Sequence, residues 1–169
     1  KPLYNIDDVK LGIDYLNKGL SIYPMRLDMH IGKIILLQEI EEYDSQESQI
    51  LQVIDLIPKY NGKWQWSDGK TELNFKTNFQ NDIQQCVNYL MQQNNQTLVI
   101  HAQRISQAMM KVFPNNVCWY NDLASTYYNL SDYNNAIKYF KLGEKIDPKD
   151  ETIKLNIAYC SEKINDKDT

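Results

Sequence analysis

Two histidines, three cysteines and three tryptophans are the side chains from which this chain of 169 residues could build a metal site, a nucleophile or an aromatic platform. Their spacing argues against the first two. Neither His30 nor His101 is followed at the third or fourth position by Cys, Asp or Glu, the spacing that brings two ligands onto one helix face. A ligand or a general base needs a cluster of partners, so both histidines are expected as partly buried or surface residues. Cys86, Cys118 and Cys160 are widely dispersed, far from any zinc or C-x-x-C pattern, and read as buried thiols that act as small hydrophobes. Unpaired thiols slightly favour a reducing, cytoplasmic setting. A removed leader stays open, because the chain runs from Lys1 to Thr169 as a piece of a longer polypeptide would. No G-x-S-x-G, P-loop, G-x-G-x-x-G or H-E-x-x-H string occurs. In His30-Ile31-Gly32-Lys33, a faint echo of a phosphate motif, Gly32 reads better as a packing residue. The expectation is a protein without catalytic residues, metal or cofactor.

Trp64 and Trp66 precede Asp68-Gly69, with Leu73 and Phe75 beyond. Alternation around Asp-Gly signals a small β-hairpin at about 60–76, pairing Trp64 with Leu73 and Trp66 with Thr71. Two indoles on one face could stack on a sugar, which gives one functional reading: a glycan- or small-molecule-binding module of a bacterial envelope protein. The weightier expectation is that they plug a gap in the frame, since burying an aromatic ring is strongly stabilising.

The frame itself follows from composition and periodicity. With 43% apolar and 24% charged residues the chain is ordinary for a globular protein. No apolar run exceeds four residues, as in Ile34 to Leu37, against the roughly 18 to 20 that a spanning helix requires. Membrane insertion is therefore not expected. A net charge of -4 without a basic block argues against nucleic acid as a partner.

Four of the five prolines form two pairs, Pro24 with Pro58 and Pro114 with Pro148, and the spacing within each pair is the same. The best-formed unit between such marks, 117–150, holds Tyr120-x2-Leu123-Ala124-x2-Tyr127, then Ala136-x3-Phe140, then Pro148. Steps of three and four residues put the first group on one helix face. Ser131 and Asp132 break that helix and cap a second one, and Ala136 is small enough to let the two approach closely. Helices are thus predicted at about 118–130 and 133–146, with Ala136 and Phe140 against Leu123 and Tyr127. This pattern resembles the tetratricopeptide repeat, W-x2-L-G-x2-Y, A-x3-F, P over about 34 residues, with Tyr for Trp and Ala for Gly.

The resemblance implies an all-α solenoid of helical hairpins, an α-α superhelix, spanning 1–169 as one domain. Its parts are a partial repeat at 1–24, where Gly12 to Pro24 matches Ala136 to Pro148, and a divergent repeat at 25–58 with Asp28 at the aromatic position and Asp44 at the small one. An insert at 59–82, a weakly fitting repeat at 83–116, the repeat at 117–150 and a partial one at 151–169 follow. Hairpins of this kind each leave an apolar side for a neighbour to cover.

What the resemblance implies about function is a non-catalytic scaffold that binds a protein or peptide in its concave groove. Carried onto this chain, that groove holds Asn88, Asn121, Ser125, Asn156 and Tyr159, with Met91 and Asn129 on the same face. The cationic fork with which the chaperone-binding subclass grips a terminal carboxylate is missing, since Cys118 and Asp122, or Thr152 and Asn156, stand in its place. Residues 25–58 carry seven acids against Arg26 and Lys33, with Glu39, Glu41, Glu42, Asp44 and Glu47 in one run. That run reads as a solvated face and turn, and as a docking surface for a basic partner on the sharper reading.

Overall fold

The computed structural model describes residues 5–66 and 74–165. Among them are eight helices and no strand: α1 (Ile6–Ile22), α2 (Leu27–Glu39), α3 (Tyr43–Leu56), α4 (Phe75–Gln92), α5 (Gln96–Val112), α6 (Val117–Asn129), α7 (Tyr133–Ile146) and α8 (Glu151–Asn165). The chain forms two compact units, 1–84 and 85–169, with the boundary inside α4. In the first, α2 packs on α1 and on α3. In the second, α5 to α8 pack each on the next. Packing of consecutive helices is the arrangement of a tetratricopeptide-like helical solenoid.

Short polar residues cap several of the helices. The Asn116 side chain accepts the Cys118 N–H at 3.0 Å to open α6, and Asp132 accepts the Asn135 N–H at 3.1 Å to open α7. Asn5 and Asn95 do the same for α1 and α5. The turn between α6 and α7 is closed by Asp132 N–H donating to the Tyr127 carbonyl and Ser131 N–H to the Tyr128 carbonyl, both at 2.9 Å. Ser131 therefore sits in the left-handed region at φ 61°. The turn between α2 and α3 has the same bonds, Glu42 to Leu37 at 2.9 Å and Glu41 to Gln38 at 3.0 Å, with Glu41 at φ 60°. Both are Schellman closures made without glycine.

That shared turn fixes the register. Helices α2 and α3 repeat α6 and α7 at the offset that separates Pro58 from Pro148. The aromatic position of the divergent repeat is accordingly held by His30 and the small position by Gln46, each two places beyond the expected Asp28 and Asp44. Both are buried polar side chains. Gln46 donates to the Ile34 carbonyl at 3.3 Å and to Gln38 Oε1 at 3.1 Å, so polar bonds replace the small-residue contact at this crossing.

The segment expected as an insert divides. Residues 75–82 are the first turns of α4. Before them, Gln65 donates to the Met25 carbonyl and accepts from the Leu27 N–H, both at 3.0 Å, making an isolated parallel bridge to Arg26. Trp64 points inward from this strap at 1% exposure. It stacks on Phe75 with ring centres 4.5 Å apart and meets the edges of His30 and Tyr60. The expected hairpin is not formed among the described residues; its Asp68-Gly69 turn and its second strand with Thr71 and Leu73 lie outside them.

In the second unit the apolar pattern of 117–150 becomes one core. Ala124, Ala136, Phe140, Ile153 and Cys160 are buried together, with Tyr127 and Tyr128 packed on them, and Leu123 is fully buried. The helices fall within one residue of the expected bounds.

Candidate functional site

Side chains from α4, α6, α7 and α8 surround a cavity of about 280 Å³ in the second unit. Ser125, Tyr128 and Asn129 of α6, Asn156 and Tyr159 of α8, Met91 of α4 and Phe140 of α7 line it. Five of the residues expected on the concave face thus come together: Met91, Ser125, Asn129, Asn156 and Tyr159. Repeat spacing does this, because Ser125 and Tyr159 are one repeat length apart and hold equivalent places on successive first helices.

None of the lining residues is charged. The side chains of Ser125 and Asn156 make no hydrogen bond to another described residue, and the Asn129 amide reaches the Met91 sulfur at 4.0 Å. Hydroxyl and amide groups are therefore available beside an apolar floor, where Phe140 is buried, and an exposed Tyr159 wall. Such a surface can exchange hydrogen bonds with a peptide backbone and receive one apolar side chain.

Asn121 and Asn88 stand outside this lining. Asn121 is half-buried one turn before Ser125, where its Oδ1 has no hydrogen-bond partner and would lie 3.3 Å from a Cβ placed on Gly143. Asn88 is exposed on α4. Tyr128 and Phe140 were missed as lining residues. Tyr128 follows the pattern residue Tyr127 directly, and Phe140 combines a core position with one edge on the cavity.

The remaining candidates are accounted for by packing. His30 is buried with both ring nitrogens bonded, to Pro24 and Gln49. His101 is buried within α5. Cys86 and Cys160 are buried and Cys118 half-buried, all as free thiols, and burial pushes the Cys160 thiol upward in pKa. No group of three or more His, Cys, Asp or Glu could hold a metal among the described residues. Of the two tryptophans, Trp64 offers no face to a ligand and Trp66 is 39% exposed. Glu39, Glu41, Glu42 and Asp44 are solvated around the α2–α3 turn, whereas Glu47 is buried. A second, polar groove in the first unit, about 500 Å³, runs over Lys33, Asp44, Ser48 and Gln52. No helix is long and apolar enough to cross a membrane among the described residues.

Stacked helical hairpins with a side-chain groove define a helical-repeat protein. Residues 120–150 match the tetratricopeptide repeat family, and the all-helical, repeat-like architecture is consistent with a tetratricopeptide-like helical solenoid. The repeat is a protein-interaction module. A comparison with curated proteins gives no significant match.

Proposed function

We propose that this chain is a non-catalytic scaffold that holds an extended, uncharged stretch of a partner polypeptide in the groove of its second unit. The observation that carries the reading is the convergence of Ser125, Asn156 and Tyr159, with Met91, Tyr128, Asn129 and Phe140, on one uncharged cavity. Unspent hydroxyl and amide groups favour main-chain recognition, and the absence of any Lys or Arg in the lining disfavours phosphate or a terminal carboxylate. Tyr128 and Tyr159 add contact area at low entropic cost. Asn88 and Asn121, one turn from Met91 and Ser125, are the proposed rim contacts for a longer peptide. Burial of Trp64 leaves the glycan reading with Trp66 as its one exposed ring, without the paired platform.

Selection of random displayed peptides on the full chain tests this reading. Bound peptides should lose about tenfold in affinity, about 1.4 kcal/mol, on Ser125→Ala combined with Asn156→Ala, with melting unchanged. Unaltered affinity in that variant would place the site elsewhere.

A further inference from the structure

The seam between a first helix and the second helices packed on it occurs in both units, and the two are filled differently. In the second unit Leu123 of α6 is fully buried, and Tyr127 of α6 stacks on Tyr139 of α7 with ring centres 5.3 Å apart. The offset that aligns Pro58 with Pro148 puts Lys33, Leu37 and Gln49 at those three places in the first unit, and Gln52 at the place of Leu142. A leucine, an aromatic pair and a second leucine are thus exchanged for an ammonium, a smaller apolar side chain and two amides. The polar groove of about 500 Å³ over α1, α2 and α3 lies where this exchange removes the ring stack.

Lys33 is the one cation among the described residues of that groove, and it is half-buried. Its ammonium makes no hydrogen bond or ion pair with another described residue, and burial alone lowers its pKa. A partly desolvated charge without an opposite charge is costly, and an approaching carboxylate offsets that cost. The side chains of Asn17, Ser45 and Gln52 also make no hydrogen bond to another described residue, whereas Gln49 is bonded to His30 and the Ser48 hydroxyl to the Asp44 carbonyl. Small-molecule pockets of this size are mostly apolar. Here Leu37 is the apolar member of the lining, and amides, hydroxyls and charges make up the rest. Such a lining suits a ligand rich in hydroxyl groups, which donate to carboxylate and amide oxygens and accept from amide N–H. One ammonium balances one carboxylate, and the Asp44 carboxylate opposes a second negative charge or a phosphate.

We propose that this groove of the first unit binds a small polyhydroxylated monocarboxylate, a sugar acid, with its carboxylate on Lys33 and its hydroxyls on Asn17, Asp44, Ser45 and Gln52. The site is separate from the peptide groove of the second unit and does not depend on it.

Ligand-observed NMR titration of the full chain with gluconate, glucuronate and galacturonate tests the proposal. At least one of the three should bind saturably. Sorbitol, which keeps the hydroxyls without the carboxylate, and glucosamine, which carries an ammonium instead, should each bind at least about tenfold more weakly, the loss of one charge-assisted hydrogen bond. Lys33→Leu should weaken the sugar acid by about the same factor, and Gln52→Leu by about threefold, the range of a neutral hydrogen bond. Both variants install the residue that the second unit carries at that place, so helical circular dichroism and melting should hold. Absence of binding by all three acids overturns the proposal. So does sugar-acid affinity that survives Lys33→Leu, and so does a preference for glucosamine, which would assign the groove to Asp44 and a cation.

Discussion

His30 Nδ1 accepts the side-chain N–H of Gln49 at 2.9 Å, while its Nε2 donates to the Pro24 carbonyl at 2.9 Å. Both bonds require the neutral ring with its proton on Nε2. A second proton on Nδ1 would set two donors against each other in a buried site, and burial holds the His30 pKa below its ordinary value. The unfolded chain then binds the proton more readily. This contribution to stability is full above about pH 6.5, the unfolded histidine value, and is lost as pH falls from there towards and through the folded value. Melting temperatures compared at about pH 7.5 and about pH 5.5 should drop on acidification, and His30→Gln should shrink that drop. An equal drop in the variant would assign the acid sensitivity to other groups.

Trp64 and Trp66 should separate in a stability measurement. Trp64 is packed between Phe75, Tyr60 and His30, so Trp64→Ala should cost about 3–5 kcal/mol in urea unfolding. Trp66 is partly exposed, and Trp66→Ala should stay within about 0.5 kcal/mol of wild type.

Ala136 and Ala124 are both fully buried in the core where α6 and α7 meet. Ala136→Leu should destabilise the protein by about 1–3 kcal/mol through overpacking. A variant with the wild-type urea midpoint would mean that the helices do not approach through this residue.

Ser131 and Glu41 hold left-handed conformations that glycine adopts without strain. Ser131→Gly and Glu41→Gly should each raise stability by about 0.5–1 kcal/mol, after the entropic cost of glycine is subtracted from the relieved strain. Calorimetry would detect the gain as a higher melting temperature.

The hairpin of α6 and α7 was legible because pattern, cap and break agree at Tyr120, Leu123, Asp132 and Ala136. The divergent repeat was legible as two helices but not in register. His30 and Gln46 are polar residues at packing positions, and only their hydrogen-bond partners, brought in by tertiary structure, explain why they are tolerated. Pro58 was the available signal, since aligning it with Pro148 gives the observed offset. In the groove, Ser125, Asn156 and Tyr159 are positions that the family resemblance implies. Phe140 is not, because a one-dimensional pattern marks it as core and cannot show that one edge of the ring meets the cavity. Likewise, alternation around Asp68-Gly69 gave no sign that Gln65 bridges to Arg26, a partner from a distant part of the chain.

The distribution of tryptophans has a spectroscopic consequence. Trp64 is buried in the unit 1–84 and Trp119 in the unit 85–169, so each compact unit contains its own shielded fluorophore. With Trp66 and one of these replaced by Phe, emission follows a single unit as the chain denatures. Two such proteins give two separate unfolding curves from one molecule. Because α4 is continuous across the boundary, the interval between those curves measures how far loss of one unit is transmitted through a shared helix to the other.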